Sequence, residues 1–450
     1  MASVALHAGR DLGFRARVAA RLLDDLARLP GLRTAGAHSP EDARAATGSS
    51  GSAVRPQFPG LPTGTLDTAD GYAAAAAALV APYGASGLPA DAARAAVLMP
   101  LALADRESRP RPPRSQLRTM GAGALCADLG TPGDDELFAR LLDTMSPSER
   151  ADPERVSAVG QSWRLPVLPY RSRLAADAER ASEAGAGALA RVSRICAPCE
   201  SPSEFRLARH ARPLTGLTIC DLSTMWAGPL ATRMMHSLGA SVVKVEMPTR
   251  PDGMRGAFAA DPDDKGSSAV FRTLNRGKRL VRLDLRLESD RVRFERLLAK
   301  SDLLVESFSR RVMPNLGYDE QALRAIRPGL LVAAVRAFPP GENAAWTAYG
   351  AGIHAASGLA ELGPARFSAA CVSYPDPLAG IALFAAMAGQ VVSRERTGRA
   401  STVEVSLWDS LRPLLDLPQP GELELEPSAE RLLQLGDVPA LAAAASGRAS

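Results

Sequence analysis

Leu217-Thr-Ile-Cys-Asp-Leu222, then Pro229 to Leu238, then Ser241-Val-Val-Lys-Val-Glu246 read in succession as a short apolar strand, a helix opened by proline and a second apolar strand. Proline suits the first helical turn because its missing N–H would have no intrahelical partner there. Two apolar strands joined by a helix form a β-α-β unit, which implies parallel strands and a right-handed crossover. The alternation continues through a strand at Leu280 to Leu285, a helix at Asp290 to Lys300, a strand at Asp302 to Phe308, a helix at Glu320 to Ile326 and a strand at Leu330 to Phe338. An open, doubly wound parallel sheet of the α/β class is the economical expectation.

The chain upstream is less regular. At 450 residues it exceeds the usual size of a single core, so two domains are expected, and the prolines at 198, 202 and 213 mark the boundary between Cys196 and Pro213. Phe14, Val18, Ala19, Leu22, Leu23, Leu26 and Leu29 recur at helical spacing and predict an amphipathic surface helix. Thr47 to Ser52 and Arg109 to Arg114 read as loops. Asp67 to Leu79 runs from a turn into an alanine tract of high helix propensity. Asp135 to Met145 predicts an amphipathic helix, Trp163 to Tyr170 an apolar segment broken by prolines, and Leu174 to Val192 an alanine-rich helix.

Composition narrows the function classes. With 53 Lys and Arg against 49 Asp and Glu, the charge balance is too mild for a nucleic-acid protein. Five cysteines, an odd count with a single CxxC at Cys196 to Cys199, fit a reducing cytoplasm and no bound metal. The first thirty residues lack a targeting pattern, and nowhere do eighteen apolar residues follow one another, so no membrane span is expected. Neither a Walker loop nor a GxGxxG is present, which sets nucleotide triphosphates and nicotinamide cofactors aside, although Glu246 sits where a ribose-binding acid would fall.

In open α/β sheets ligands bind beyond the carboxyl ends of the strands. The loops to consider are therefore Ser223 to Gly228, Glu246 to Arg255, Ser307 to Arg311 and the approach to Asp376. Phe271 to Leu280 gathers Arg272, Arg276, Lys278 and Arg279 around Asn275 and Gly277, which suits either a solvated turn or a polyanion site, and Arg310 and Arg311 would join the same field. In Val372-Ser-Tyr-Pro-Asp-Pro-Leu-Ala-Gly-Ile381, Pro377 reads as the first helical residue and Asp376 as the N-cap. That aspartate is either a cap alone or, kept ionised by the helix dipole, a carboxylate nucleophile.

Pro213 to Ser223, Ala227-Gly-Pro-Leu-Ala-Thr232, Leu238 to Glu246, Leu274-Asn-Arg-Gly-Lys-Arg279, Asp284-Leu285 and Arg396-Thr-Gly-Arg399 together resemble the family III CoA-transferases (CaiB/BaiF), in unbroken order from about Pro213 to Leu411. The resemblance implies an α/β fold, a Rossmann-like doubly wound parallel sheet with a second, smaller α+β domain. It assigns 205–450 to the large domain and makes 1–200 similar to small-domain pieces displaced to the front. It further implies an acyl-CoA:carboxylate CoA-transferase in which Asp376 forms a mixed anhydride and then an aspartyl-CoA thioester. Trp226, Ala227, Asn275, Arg276, Gly277, Lys278, Ser307, Phe308, Ser309 and Arg310 match its CoA contacts. Coenzyme A is then substrate rather than a tightly bound cofactor. The implied partners are acyl-CoA, a small carboxylic acid and a second copy of the chain in a homodimer, with no nucleic acid and no membrane.

Two departures bear on function. Met247, Asn315 and Thr347 stand where such relatives carry cations, and Arg250, Arg255, Arg310 and Arg311 are the candidates to compensate. A sister branch of the family racemises 2-methylacyl-CoA with a histidine near the position of Tyr349, and His354 lies a turn further on. Racemisation, or CoA binding without turnover, is the alternative to transfer.

Overall fold

The computed structural model describes residues 18–32 except 20 and 31, 65–80, 115–182 except 121–122 and 130–132, 188–198, 205–255 except 210–211, 268–362 and 374–415. The two expected loops at 47–52 and 109–114, together with Cys199 and Cys371, lie outside these residues.

Seven strands make the large sheet. They are β4 (Arg191–Pro198), β5 (Thr218–Asp221), β6 (Ser241–Glu246), β7 (Arg279–Arg282), β8 (Leu303–Glu306), β9 (Leu331–Arg336) and β10 (Arg399–Ser406), in the order β4-β10-β9-β8-β5-β6-β7. All neighbours are parallel except the edge pair β4 and β10. Successive side chains on a strand point to opposite faces, and here both faces are covered. Ile219, Leu303, Val305, Leu331 and Val403 join one core with α5 (Ala227–Ser237) and α10 (Pro375–Thr397), while Cys220, Leu304 and Val332 join another with α7 (Glu288–Ala299) and α8 (Glu320–Ile326).

The edge strand β4 corrects the expected helix at Leu174 to Val192. Helix α4 is Arg173–Ser182, and from Arg191 the chain is extended, because Val192 and Ile195 pair across to Val403 and Ser401 of β10. Helix α10 is buried from Pro375 to Arg394. By length and composition it would pass as a membrane span, yet its apolar window lies wholly inside the protein, so it is a core helix. Its one buried amide, Gln390, donates to Val332 O at 3.0 Å and Ser401 O at 2.9 Å, tying helix to sheet. The helix ends on Gly398, whose φ of 66° is the left-handed conformation that glycine adopts without steric cost.

Residues on both sides of the expected 200/205 boundary share this core. Leu22, Leu26 and Leu29, with the alanines of α1 (Thr65–Val80), are buried among α10 side chains, so the first helix packs inward instead of lying on the surface. Tyr72 Oη donates to Ser410 O at 2.8 Å, and Ser393 Oγ to Pro30 O at 2.6 Å. A separate antiparallel sheet, β1 (Ser115–Met120), β2 (Gly123–Asp128) and β3 (Val167–Pro169), builds its own core with α2 (Asp134–Asp143) and α3 (Pro153–Ser162). It rests on α9 (Gly350–Ala356), where Leu168 lies against Gly352. Gln161 reaches out of α3 to clasp Thr347, donating to its carbonyl at 2.9 Å and accepting its N–H at 2.7 Å.

Candidate active site

From β5 the chain moves outward to β6 and β7, then returns to β8 on the other side of β5, so the order reverses between β5 and β8. Such a switch point leaves a crevice at the strands' carboxyl ends. The loops after β5 and β8 meet there, with Thr224 N–H donating to Ser307 Oγ at 2.9 Å. Met225 holds a φ of 67°, a left-handed value rare for a side chain of its size.

A buried charge network anchors the first of these loops. Asp221, at the end of β5, accepts from Lys278 Nζ at 3.0 Å, from Thr232 Oγ1 at 2.6 Å, from Ser223 N–H at 3.0 Å and from the Ser223 hydroxyl. Lys244 pairs with Asp252 at 2.9 Å and donates to Ser223 O at 2.6 Å. All four of these charged side chains are 0% exposed. Burial alone would push the Asp221 carboxyl up, but Lys278 and Lys244 outweigh it and bring it down to about 2. Burial lowers the Lys278 ammonium to about 8, against the pull of Asp221.

Asp376 lies in the first turn of α10 and is 7% exposed. The cap is Tyr374, with Pro375 as the first helical residue, which corrects the expectation of Asp376 as cap. Of the two prolines that lack an N–H, the earlier one takes the position where none is needed. Asp376 and Gly380 share a helix face, and Gly380 sits so close to Ala227 that a Cβ there would lie 2.7 Å from Ala227 O. Asp376 stands one helical turn before this contact on the same face of α10. Tyr349 shares its surroundings. Burial pushes its phenol up, the carboxylates of Asp128, Asp134 and Asp376 add to this, and the Arg250 guanidinium opposes it. Behind them, Tyr374 Oη and His354 Nδ1 are 2.8 Å apart, and burial lowers the imidazole to about 4, so it is neutral near pH 7.

The structure sorts the residues expected to hold CoA. Trp226 and Ala227 form the start of α5 beside the Asp376 face, with Trp226 buried. Ser307 to Ser309 are half-buried on the adjoining loop. Lys278 points inward, and its three donors go to Asp221, to Pro229 O at 2.9 Å and to Asn275 Oδ1 at 3.0 Å, so none is left for a phosphate. Asn275, the last residue of α6 (Ala269–Asn275), is buried with it and donates to Phe271 O at 3.0 Å. Gly277 (φ 84°) turns the chain against His236, where a Cβ would be 2.4 Å from Nε2. Arg276 is exposed. Arg310 forks onto Glu404, and Arg255 is bound to Glu246 and stacked 3.8 Å over Phe271, whereas Arg250 and Arg311 are exposed. Among the described residues no cluster of His, Cys, Asp and Glu could hold a metal.

Sequence reasoning missed Asp221, Lys244, Asp252 and Asp128 as parts of this site. A lysine inside Val242-Val-Lys-Val245 was the available signal, since a buried charge in an apolar strand is more informative than an exposed one.

Residues 214–420 match the sequence model of CoA-transferase family III. The chain is 33% identical over 216 residues to the acetyl-CoA:oxalate CoA-transferase of Acetobacter aceti, covering 46% of this chain and 54% of that protein. It is 30% identical over 202 residues to the formyl-CoA:oxalate CoA-transferase of Streptomyces coelicolor, covering 44% and 48%. A solved CAIB/BAIF family protein from Brucella suis is 30% identical, with a TM-score of 0.41 and coverage of 45% and 55%. The chain thus spans about half the length of the curated relatives it matches. Over residues 214–420, the chain is similar to CoA-transferase family III.

Proposed function

We propose that this protein moves CoA between an acyl-CoA and a small carboxylic acid, with Asp376 as the nucleophile. The observation that carries the reading is the position of this one carboxylate, nearly buried, in the first turn of α10 and one turn from the contact of that helix with Ala227 at the start of α5. Relatives named as CoA-transferases for oxalate, mesaconate and glutarate support the reaction class. The strand order from β7 to β10, equivalent to 3-2-1-4-5-6, supports a Rossmann-like doubly wound sheet, with the antiparallel β1–β3 unit as its smaller companion.

In this reading an Asp376 oxygen attacks the thioester carbonyl, the C–S bond breaks, and a mixed anhydride and CoA thiolate result. The thiolate attacks the aspartyl carbonyl, releasing the first acid and leaving an aspartyl-CoA thioester. An incoming carboxylate then displaces the thiolate, which takes the new acyl group and restores the aspartate. A carboxylate is a weak nucleophile in water, so positioning supplies most of the acceleration, with effective molarities on the order of 10⁵ M or more. The aliphatic side chains of Leu378, Ile381 and Leu383, all 0% exposed, keep water from the helix behind the anhydride. Incubation with acetyl-CoA followed by peptide mass analysis tests this. CoA mass on the peptide bearing Asp376, or its hydroxamate after hydroxylamine, is expected, and an unmodified peptide under turnover conditions refutes it.

A further inference from the structure

We propose that Asp252 is a positioning residue for CoA transfer, holding the Ser223–Ala227 loop in the disfavoured backbone conformation that faces Asp376. This rests on the transfer reading above. Asp252 is 1% exposed and lies outside every contact inferred for the coenzyme. Its Oδ1 accepts the N–H of Met225 at 3.0 Å and of Met254 at 3.0 Å, and its Oδ2 pairs with Lys244 Nζ. Lys244 in turn holds Ser223 O, and Thr224 N–H is held by Ser307. Three successive residues are therefore tethered, and the middle of the restraint falls on Met225, the residue with a φ of 67°. Left alone, a methionine relaxes out of that region, because its Cβ crowds the following carbonyl. Asp252 is itself fixed, its N–H donating to Glu246 Oε1 at 3.1 Å, and Glu246 is locked by Arg255. The loop continues into Ala227, whose carbonyl abuts Gly380 on the Asp376 face of α10. Strain held in place by surrounding contacts, at the edge of a reacting group, is the arrangement by which backbone geometry is preset for chemistry.

The experiment is a double-mutant cycle of Asp252→Ala and Met225→Gly, reading the rate of Asp376 loading from acetyl-CoA, the KM for acetyl-CoA and the Tm. Asp252→Ala is expected to slow loading roughly 100-fold with little change in KM, as a displacement on the order of 1 Å does. Glycine accepts positive φ without penalty, so Met225→Gly in the Asp252→Ala background should recover about tenfold of that loss without restoring Tm. Loading by Asp252→Ala at the wild-type rate, or a double variant no faster than Asp252→Ala, overturns the assignment while leaving CoA transfer intact. Absence of loading in the wild type overturns both. If Asp252→Ala does not fold, Asp252→Asn with and without Met225→Gly carries the same comparison.

Discussion

Adding one methyl group at position 380 should separate the placement of Asp376 from the stability of its helix. A Cβ on Gly380 would stand 2.7 Å from Ala227 O, where ordinary contact begins at 3.4 Å, and 3.1 Å from a Leu230 methyl. The obstacle is backbone and cannot rotate away, so α10 and the start of α5 must part by about 0.7 Å, the difference between those two distances. Overpacking of this kind costs ~1–3 kcal/mol. Replacing glycine by alanine inside a helix returns about 1 kcal/mol, so Gly380→Ala should lose no more than about 2 kcal/mol in urea unfolding. The effect on chemistry is expected to be larger, roughly 10- to 100-fold in kcat, because Asp376 lies one turn away on the displaced face. Gly389→Ala is the internal control. Its Cβ would meet methyls of Leu26, Leu29 and Leu32 at 3.4, 3.4 and 3.6 Å, which is ordinary contact, so that variant should gain up to about 1 kcal/mol and keep full activity. Wild-type kcat in Gly380→Ala, with stability matching Gly389→Ala, would refute the claim that the Ala227 contact sets the position of Asp376.

Other expectations are more direct. Asp376→Asn should abolish covalent loading while moving stability by no more than about 1 kcal/mol, the scale of one charge at a helix N-terminus. Lys278→Met leaves Asp221 short of a partner in the interior and should cost ~3–5 kcal/mol, whereas Arg276→Ala, at an exposed site, should stay within about 0.5 kcal/mol and instead raise the KM for acyl-CoA. His354, lowered to about 4 by burial, stays neutral in the fold while an unfolded histidine takes a proton below about 6.5. Its contribution is complete above that pH and lost between there and about 4, so urea midpoints should fall over this window and fall less in His354→Gln.

β5, β6, β8 and β9 were legible because each is a short apolar run buried along most of its length, and β6 and α8 have the bounds that their patterns implied. β4 was hidden because Ser193, Arg194 and Ile195 are all exposed, so no apolar alternation marks it, and it is strand-like only beside β10. The cap of α10 was misplaced by one proline, since two prolines flank Asp376 and either satisfies the rule. Site residues divided along a similar line. The places of Asp376 in the first turn of a buried helix and of Trp226 at a helix start were legible, but which cations face outward was not. Lys278 and Arg276 sit two positions apart in one basic run, and only the third dimension shows Asp221 beneath the first of them.

The arrangement around α10 also constrains how the chain is made. The helix that bears Asp376 is enclosed by Leu22, Leu26, Leu29 and α1, which lie about 300 or more positions earlier, with the Ser393 to Pro30 bond bridging 363 positions. Contacts this distant in sequence are slow to form. A greasy rod of 23 residues, long enough to enter a bilayer, therefore emerges well after the segments that enclose it. Any delay in that docking leaves a long apolar surface in water, so expression yield should depend more on substitutions in the alanine tract of α1 than its bland composition suggests.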